Sequence, residues 1–174
     1  MKECFVSSSK NDNFYTPEYA VIPILKYVKL NSTIWCPFDT QESNYVKLLR
    51  EQGHKVIHTH IDNGENFFET EVPECDYIIS NPPYSLKTEI LERLFKIGKP
   101  FAMLINGNEL FGGQKRFDLF KNNKFEIMYF NKRISYFQDY NNLVTSKLNP
   151  PFSSVYICHN FLPEQIMFET VNKK

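Results

Sequence analysis

Apolar residues recur along the chain in two rhythms. Val21, Ile22, Leu25 and Val28 fall at helical spacing. Ahead of them, Thr16-Pro17-Glu18 reads as a helix start, with Thr16 as N-cap and Pro17 in the first turn. Residues 33–37 form a short apolar run of strand type. Residues 41–52 return to helical spacing through Tyr45, Leu48 and Leu49, with Gly53 placed to close the helix. Strand-like runs follow at 55–60 and 76–80. Over 86–97, Ile90, Leu91, Leu94 and Phe95 share one helical face. Ser85 stands as its N-cap, and Gly98 ahead of Pro100 stops it. A strand at 101–105, a helix at 110–121 and strands at 125–130 and 154–160 complete the pattern.

Strands alternating with helices predict an α/β fold with a mostly parallel sheet covered on both faces. No helix separates the last two strands, so an antiparallel hairpin is expected at one edge. The intervening link, 134–153, is longer than ordinary loops and predicts a functional or mobile segment. The 174 residues suit one domain, and the polar residues 1–13 are expected to be flexible.

The sequence is 42% apolar and 23% charged, ordinary for a soluble globular domain. Formal net charge is zero, which excludes a global basic field. Nucleic-acid contact would need a local patch, and Lys115, Arg116 and Arg133 are the leading candidates, with Lys121, Lys124, Lys132 and Lys147 behind them. A scattered, solvated face accounts for each of them equally well. Cys4, Cys36, Cys75 and Cys158 show no disulfide or metal spacing, and the four histidines form no convincing zinc set, so no metal is expected. With no signal peptide and no long apolar span, a cytoplasmic protein is expected, without membrane contact.

The chemistry concentrates at Asn81-Pro82-Pro83-Tyr84, directly after the buried-strand pattern of 76–80. The Asn81 side-chain oxygen can accept a hydrogen bond from a planar amino group. The Pro82 carbonyl can accept a second, in a loop stiffened by two prolines. Tyr84 can stack on the plane of a base or amide. The bland alternative is a proline-rich turn that merely ends a strand. A second copy, Asn149-Pro150-Pro151-Phe152, precedes a strand instead. It is therefore expected to face away from the ligand crevice at the carboxyl ends of the strands.

These residues resemble the S-adenosylmethionine-dependent amino-group methyltransferases, and among them the small phage-type DNA N6-adenine methyltransferases. The resemblance runs from Asn13-Phe14-Tyr15-Thr16-Pro17 to Leu162-Pro163. It implies a Rossmann-like sheet and a catalytic loop at Asn81, Pro82, Pro83 and Tyr84. It implies that Tyr15, Thr16 and Pro17 lie at the methionine end of the cofactor and that Pro37, Phe38 and Asp39 wrap it. His60 or Asp62 would bind the ribose, and Asn66 and Phe67, with Phe68, would meet the cofactor's adenine.

Three departures stand out. The loop after the first strand, 37–42, contains no glycine, so the cofactor pocket is expected to be weak or reshaped. Asn66 replaces an acidic residue. Only residues 61–75 separate the second and third strands, so the sheet is expected to lack one strand there. No separate target-recognition domain is expected, so recognition would fall to loops 107–118 and 134–153, a homodimer or a partner.

The implied activity is methyl transfer to N6 of adenine in DNA, in a bacterial host cell if the chain is phage-encoded. RNA adenine and protein glutamine are the alternative acceptors. A non-catalytic binding protein that keeps the fold is the alternative class. An ordinary dinucleotide-binding protein is disfavoured, because no Gly-x-Gly-x-x-Gly follows the first strand.

Overall fold

The structure, a computed structural model, describes residues 14–141 and 147–173. The expectations for residues 1–13, with Cys4 and Asn13, lie outside the described residues.

Seven strands form one sheet in the order β2-β1-β3-β4-β8-β5-β9. They are β1 (Thr33–Cys36), β2 (Lys55–His58), β3 (Tyr77–Ser80), β4 (Phe101–Asn106), β5 (Glu126–Phe130), β8 (Ser154–His159) and β9 (Ile166–Glu169). A two-stranded ribbon, β6 (Tyr136–Phe137) with β7 (Lys147–Leu148), stands apart. The helices are α1 (Glu18–Leu25), α2 (Asn44–Glu51), α3 (Lys87–Ile97) and α4 (Gln114–Asn122). Strands β2, β1, β3 and β4 run parallel to one another, β9 is parallel to β5, and β8 is antiparallel to both β4 and β5. This is the mostly parallel α/β architecture with an antiparallel pair towards one edge.

Both faces of the sheet are covered because successive residues of a strand point to opposite sides. Ile34, Cys36, Ala102 and Leu104 meet α1 and α2 residues such as Ile24 and Leu49. Trp35, Met103 and Ile105 point the other way, onto Ile90, Leu91 and Leu94 of α3 and Phe120 of α4. The predicted apolar face of α3 is therefore the buried one. Cys36 and Cys158 lie buried in β1 and β8, as small apolar side chains do.

Several boundaries differ from the sequence expectation, each for a local reason. Helix α1 begins at Glu18 with Pro17 as N-cap, so Thr16 stands one residue outside and caps nothing. Ile22 is half exposed, and Ala20, Val21, Ile24 and Leu25 form the inner face instead. Helix α2 starts at Asn44 because the Ser43 hydroxyl accepts from the Tyr45 N–H at 3.2 Å. Ser85 is no N-cap, because a 3-10 turn, Tyr84–Leu86, precedes α3. Helix α4 waits until Gln114, since Gly113 ahead of it has φ +78°.

Between β2 and β3 the chain forms a 3-10 turn, Ile61–Asn63, and no strand. The expected loss leaves β2 at one edge. The opposite edge gains β9, which no pattern announced. Its Ile166 and Phe168 face solvent, and Tyr129 stacks on Phe168 with ring centroids 5.9 Å apart. The antiparallel partner of β5 consequently lies one strand further in, between β4 and β5.

Candidate active site

Strand order reverses beside β1, with β2 on one side and β3 on the other, so the crevice for a ligand opens between the loops that leave β1 and β3. The first loop carries Pro37, Phe38 and Asp39, and the second carries Asn81 to Tyr84.

Asp39 ties the two loops together. Its carboxylate accepts hydrogen bonds from Ser43 Oγ, at the start of α2, and from Ser80 Oγ, the last residue of β3. The side chain is buried, and burial raises its pKa from the usual carboxylate value to about 6, against the opposing pull of the two hydroxyls. Its backbone N–H reaches the Thr59 carbonyl beyond β2. Neither serine carried a signal of its own in the sequence. Their positions became meaningful once Asp39 stood between them.

The 14–17 segment closes over these loops. Asn44 Nδ2 donates to the Thr16 carbonyl at 2.8 Å, and Tyr15 packs on Tyr140 with centroids 4.4 Å apart. Tyr15 also exchanges two backbone hydrogen bonds with Phe137 of β6, at 2.8 and 3.0 Å. Thr16 and Pro17 are buried, and Thr16 Oγ1 finds no hydrogen-bond partner among the described residues. Tyr15, Thr16, Pro17, Pro37, Phe38, Asp39 and the Asn81 loop are thus brought to one rim.

Asn81 is held at its nitrogen and open at its oxygen. Nδ2 donates to the Phe14 carbonyl at 2.7 Å. Oδ1 is sealed from solvent and has no partner among the described residues. Pro82 is buried and Pro83 half-buried behind it. Tyr84 Oη donates to Tyr136 Oη at 2.8 Å, and Tyr136 Oη pairs with Ser154 Oγ at 2.6 Å. The Tyr84 ring therefore has a fixed orientation. Burial pushes the Tyr84 and Tyr136 hydroxyls well above the ordinary tyrosine value, so both stay protonated.

The second proline pair is not where the sequence argument put it. Because β8 is antiparallel, its first residue, Ser154, pairs with Asn106 at the carboxyl end of β4. Asn149 to Phe152 therefore lies on the same rim as Asn81. Phe152 meets Tyr84 edge-on with centroids 5.3 Å apart, while Asn149 Oδ1 accepts from Ser135 Oγ. From the described part of the 134–153 link, Tyr136, Tyr140 and Phe152 all reach this rim. Composition alone did not single out these rings.

The other predicted ligands scatter more. His60 and Asp62 follow β2, and the His60 Nδ1 accepts from the Asp62 N–H at 3.2 Å, leaving the Asp62 carboxylate in solvent. Asn66 Oδ1 accepts from the Phe68 N–H at 3.1 Å and so shapes its own turn. Phe67 is core, between Trp35 and Phe38 with Arg93 over its ring. Among the candidate cations, Lys115 pairs with Glu92 at 3.4 Å. Arg116 donates to Thr88 Oγ1 and to the Glu109 carbonyl. Arg133 is exposed on the turn after β5.

Among solved structures, a dimethyladenosine transferase from Plasmodium falciparum superposes with a TM-score of 0.51 at 12% identity, over 87% of this chain and 63% of that one. The fold is a Rossmann-like methyltransferase fold. A modification subunit of a putative type I restriction enzyme from Vibrio vulnificus YJ016 is also similar, with TM-score 0.49, 11% identity, 96% of this chain and 49% of that one. So is a type I restriction-modification system methyltransferase subunit from Streptococcus thermophilus, with TM-score 0.46, 13% identity, 91% of this chain and 47% of that one. The chain spans 63%, 49% and 47% of the lengths of these three structures. No protein-family model and no curated protein matches the sequence. Among the described residues of this methyltransferase fold, no helix is long and apolar enough to cross a membrane.

Proposed function

We propose that this chain transfers a methyl group from S-adenosylmethionine to the N6 amino group of adenine in DNA. The observation that carries this reading is the Asn81 oxygen. It is a buried acceptor without a partner among the described residues, just past the carboxyl end of β3 and in the same loop as Tyr84. An amino group donating to it would satisfy an otherwise costly buried oxygen. A second hydrogen bond to the Pro82 carbonyl would leave the nitrogen lone pair directed away from both acceptors. Tyr84, held by Tyr136, would support the plane of the base.

The cofactor fits the residues on the adjoining rim. Thr16 Oγ1 is a buried hydroxyl without a partner among the described residues, suited to a cofactor carboxylate, and the exposed Asp62 carboxylate suits ribose hydroxyls. Bound there, S-adenosylmethionine would supply the methyl group on a sulfonium centre. The chain contributes position, which accounts for most of the acceleration in such a transfer. Asn81 and Tyr84 orient the acceptor, and the rings of Tyr136 and Phe152 exclude water. With Asn81→Ala, transfer of labelled methyl to DNA should fall about a hundred-fold or more. Full activity in that variant, purified free of host enzymes, would sink the proposal.

One observation favours a second reading, a binding protein that keeps the fold without the reaction. Asp39 turns inward onto Ser43 and Ser80 in a loop with no glycine. Titration calorimetry with S-adenosylmethionine separates the two readings. Micromolar heat supports the enzyme, and no heat from folded protein, with or without DNA, supports the binding protein.

A further inference from the structure

The stacking half of the Asn81–Tyr84 grip is already engaged by the chain itself, and the asparagine is held in place beside it. Asn81 Nδ2 holds the Phe14 carbonyl at 2.7 Å. The Phe14 ring stacks on Tyr84 with centroids 5.4 Å apart and 23° between planes. Tyr136 and Phe152 meet the same phenyl ring edge-on, at 5.3 and 6.0 Å. Phe14 thus covers the stacking surface with a flat ring, as a flipped base would, while its carbonyl holds the asparagine by the amide nitrogen and leaves Oδ1 to an incoming amino group.

We propose that Phe14 is a built-in stand-in for the target base, and that it must swing out before a base can enter. This rests on the methyltransferase reading above. Stacked centroids 5.4 Å apart leave no room for a third ring between them. Tyr84 cannot give way easily, because its hydroxyl is locked to Tyr136 and through it to Ser154. Phe14 can. The two backbone hydrogen bonds between Tyr15 and Phe137 hold the chain one residue later, so a turn at that point can move the Phe14 ring while Tyr15 stays paired. The closed form lowers apparent affinity for the base by the fraction of molecules that are open.

The test is a fluorescence titration of a single-stranded DNA oligonucleotide carrying 2-aminopurine in place of one adenine. Native protein is compared with Phe14→Ala, Phe14→Leu and the double variant Phe14→Ala/Tyr84→Ala. Phe14→Ala should bind about five-fold tighter or better. Phe14→Leu, which keeps apolar bulk but cannot stack, should show a smaller gain and covers the case in which alanine disturbs folding. Removing Tyr84 as well should erase the gain. Unchanged binding in both single variants overturns the proposal, and so does weaker binding, which would make Phe14 a wall of the slot. If native protein methylates DNA in that case, the methyltransferase reading survives without the stand-in. If no protein in the series binds the probe or transfers methyl, both fall.

Discussion

At the scale of single residues, Asp39 is the most exposed to test. Its folded pKa, about 6, lies above the usual carboxylate value of 3.8, so the fold prefers the protonated form. The stability it permits is fully present below pH 3.8 and is lost as pH rises through about 6. The loss amounts to about 3 kcal/mol at most, the free-energy equivalent of moving the carboxyl from 3.8 to about 6. Asp39→Asn should therefore be more stable than the native protein at pH 8, with the difference closing towards pH 4. Urea midpoints at the two pH values check this. The Asn81 loop and Asp39 were legible in the sequence because a short motif and a strand end marked them. Ser43, Ser80 and Phe14 were not. Their partners are set by how three loops meet, and no local pattern encodes a contact between Phe14 and Asn81.

At the scale of elements, Glu126 shows how the chain turns into its last strand. Its buried carboxylate accepts from the N–H groups of Phe161 and Leu162, at 3.2 and 3.4 Å, just after Asn160 takes a left-handed φ of 48°. Glu126→Ala would leave those donors buried and unpaired and should cost about 2 kcal/mol. Glu126→Gln, which keeps an acceptor, should cost less, and thermal melting of the pair distinguishes them. Helix positions were readable from apolar spacing, and Gly53 and Gly98 closed α2 and α3 as expected, with φ of +85° and +74°. Helix starts were not, because capping by Ser43 and the 3-10 turn at Tyr84 depend on the neighbouring loops. Strand β9 escaped notice because Ile166 and Phe168 point to solvent, so it lacks the buried pattern that betrays a strand. The misplacement of Asn149 to Phe152 has a similar root. Sequence order names the end of a strand, but strand direction decides which rim that end joins.

At the scale of the molecule, charge limits how DNA would be held under the proposed function. Net charge is zero, Lys115 is paired with Glu92, and Arg116 anchors the loop before α4 onto α3. Of the three leading candidates, that leaves Arg133, exposed on the turn after β5, to displace counterions. DNA affinity should therefore depend weakly on salt, with a log–log slope smaller in magnitude than about 3. Arg133→Ala should reduce that slope by about 1, and Lys115→Ala should change it less. Anisotropy titrations over a salt series measure both.

The place of β8 has a consequence for how the protein is made. This strand fills the gap between β4 and β5, yet it is synthesised after both. Until residues 154–159 leave the ribosome, β4 and β5 each expose a bare hydrogen-bonding edge, and nothing in the chain can join the two parts of the sheet. A nascent chain paused in that window holds the sheet up to β4 and a lone β5 with both edges bare, a form prone to pairing with a neighbour. The rim that carries Tyr136, Phe152 and Ser154 can assemble only when that strand slots in, so the site is completed well after β3 and the Asn81 loop have been made.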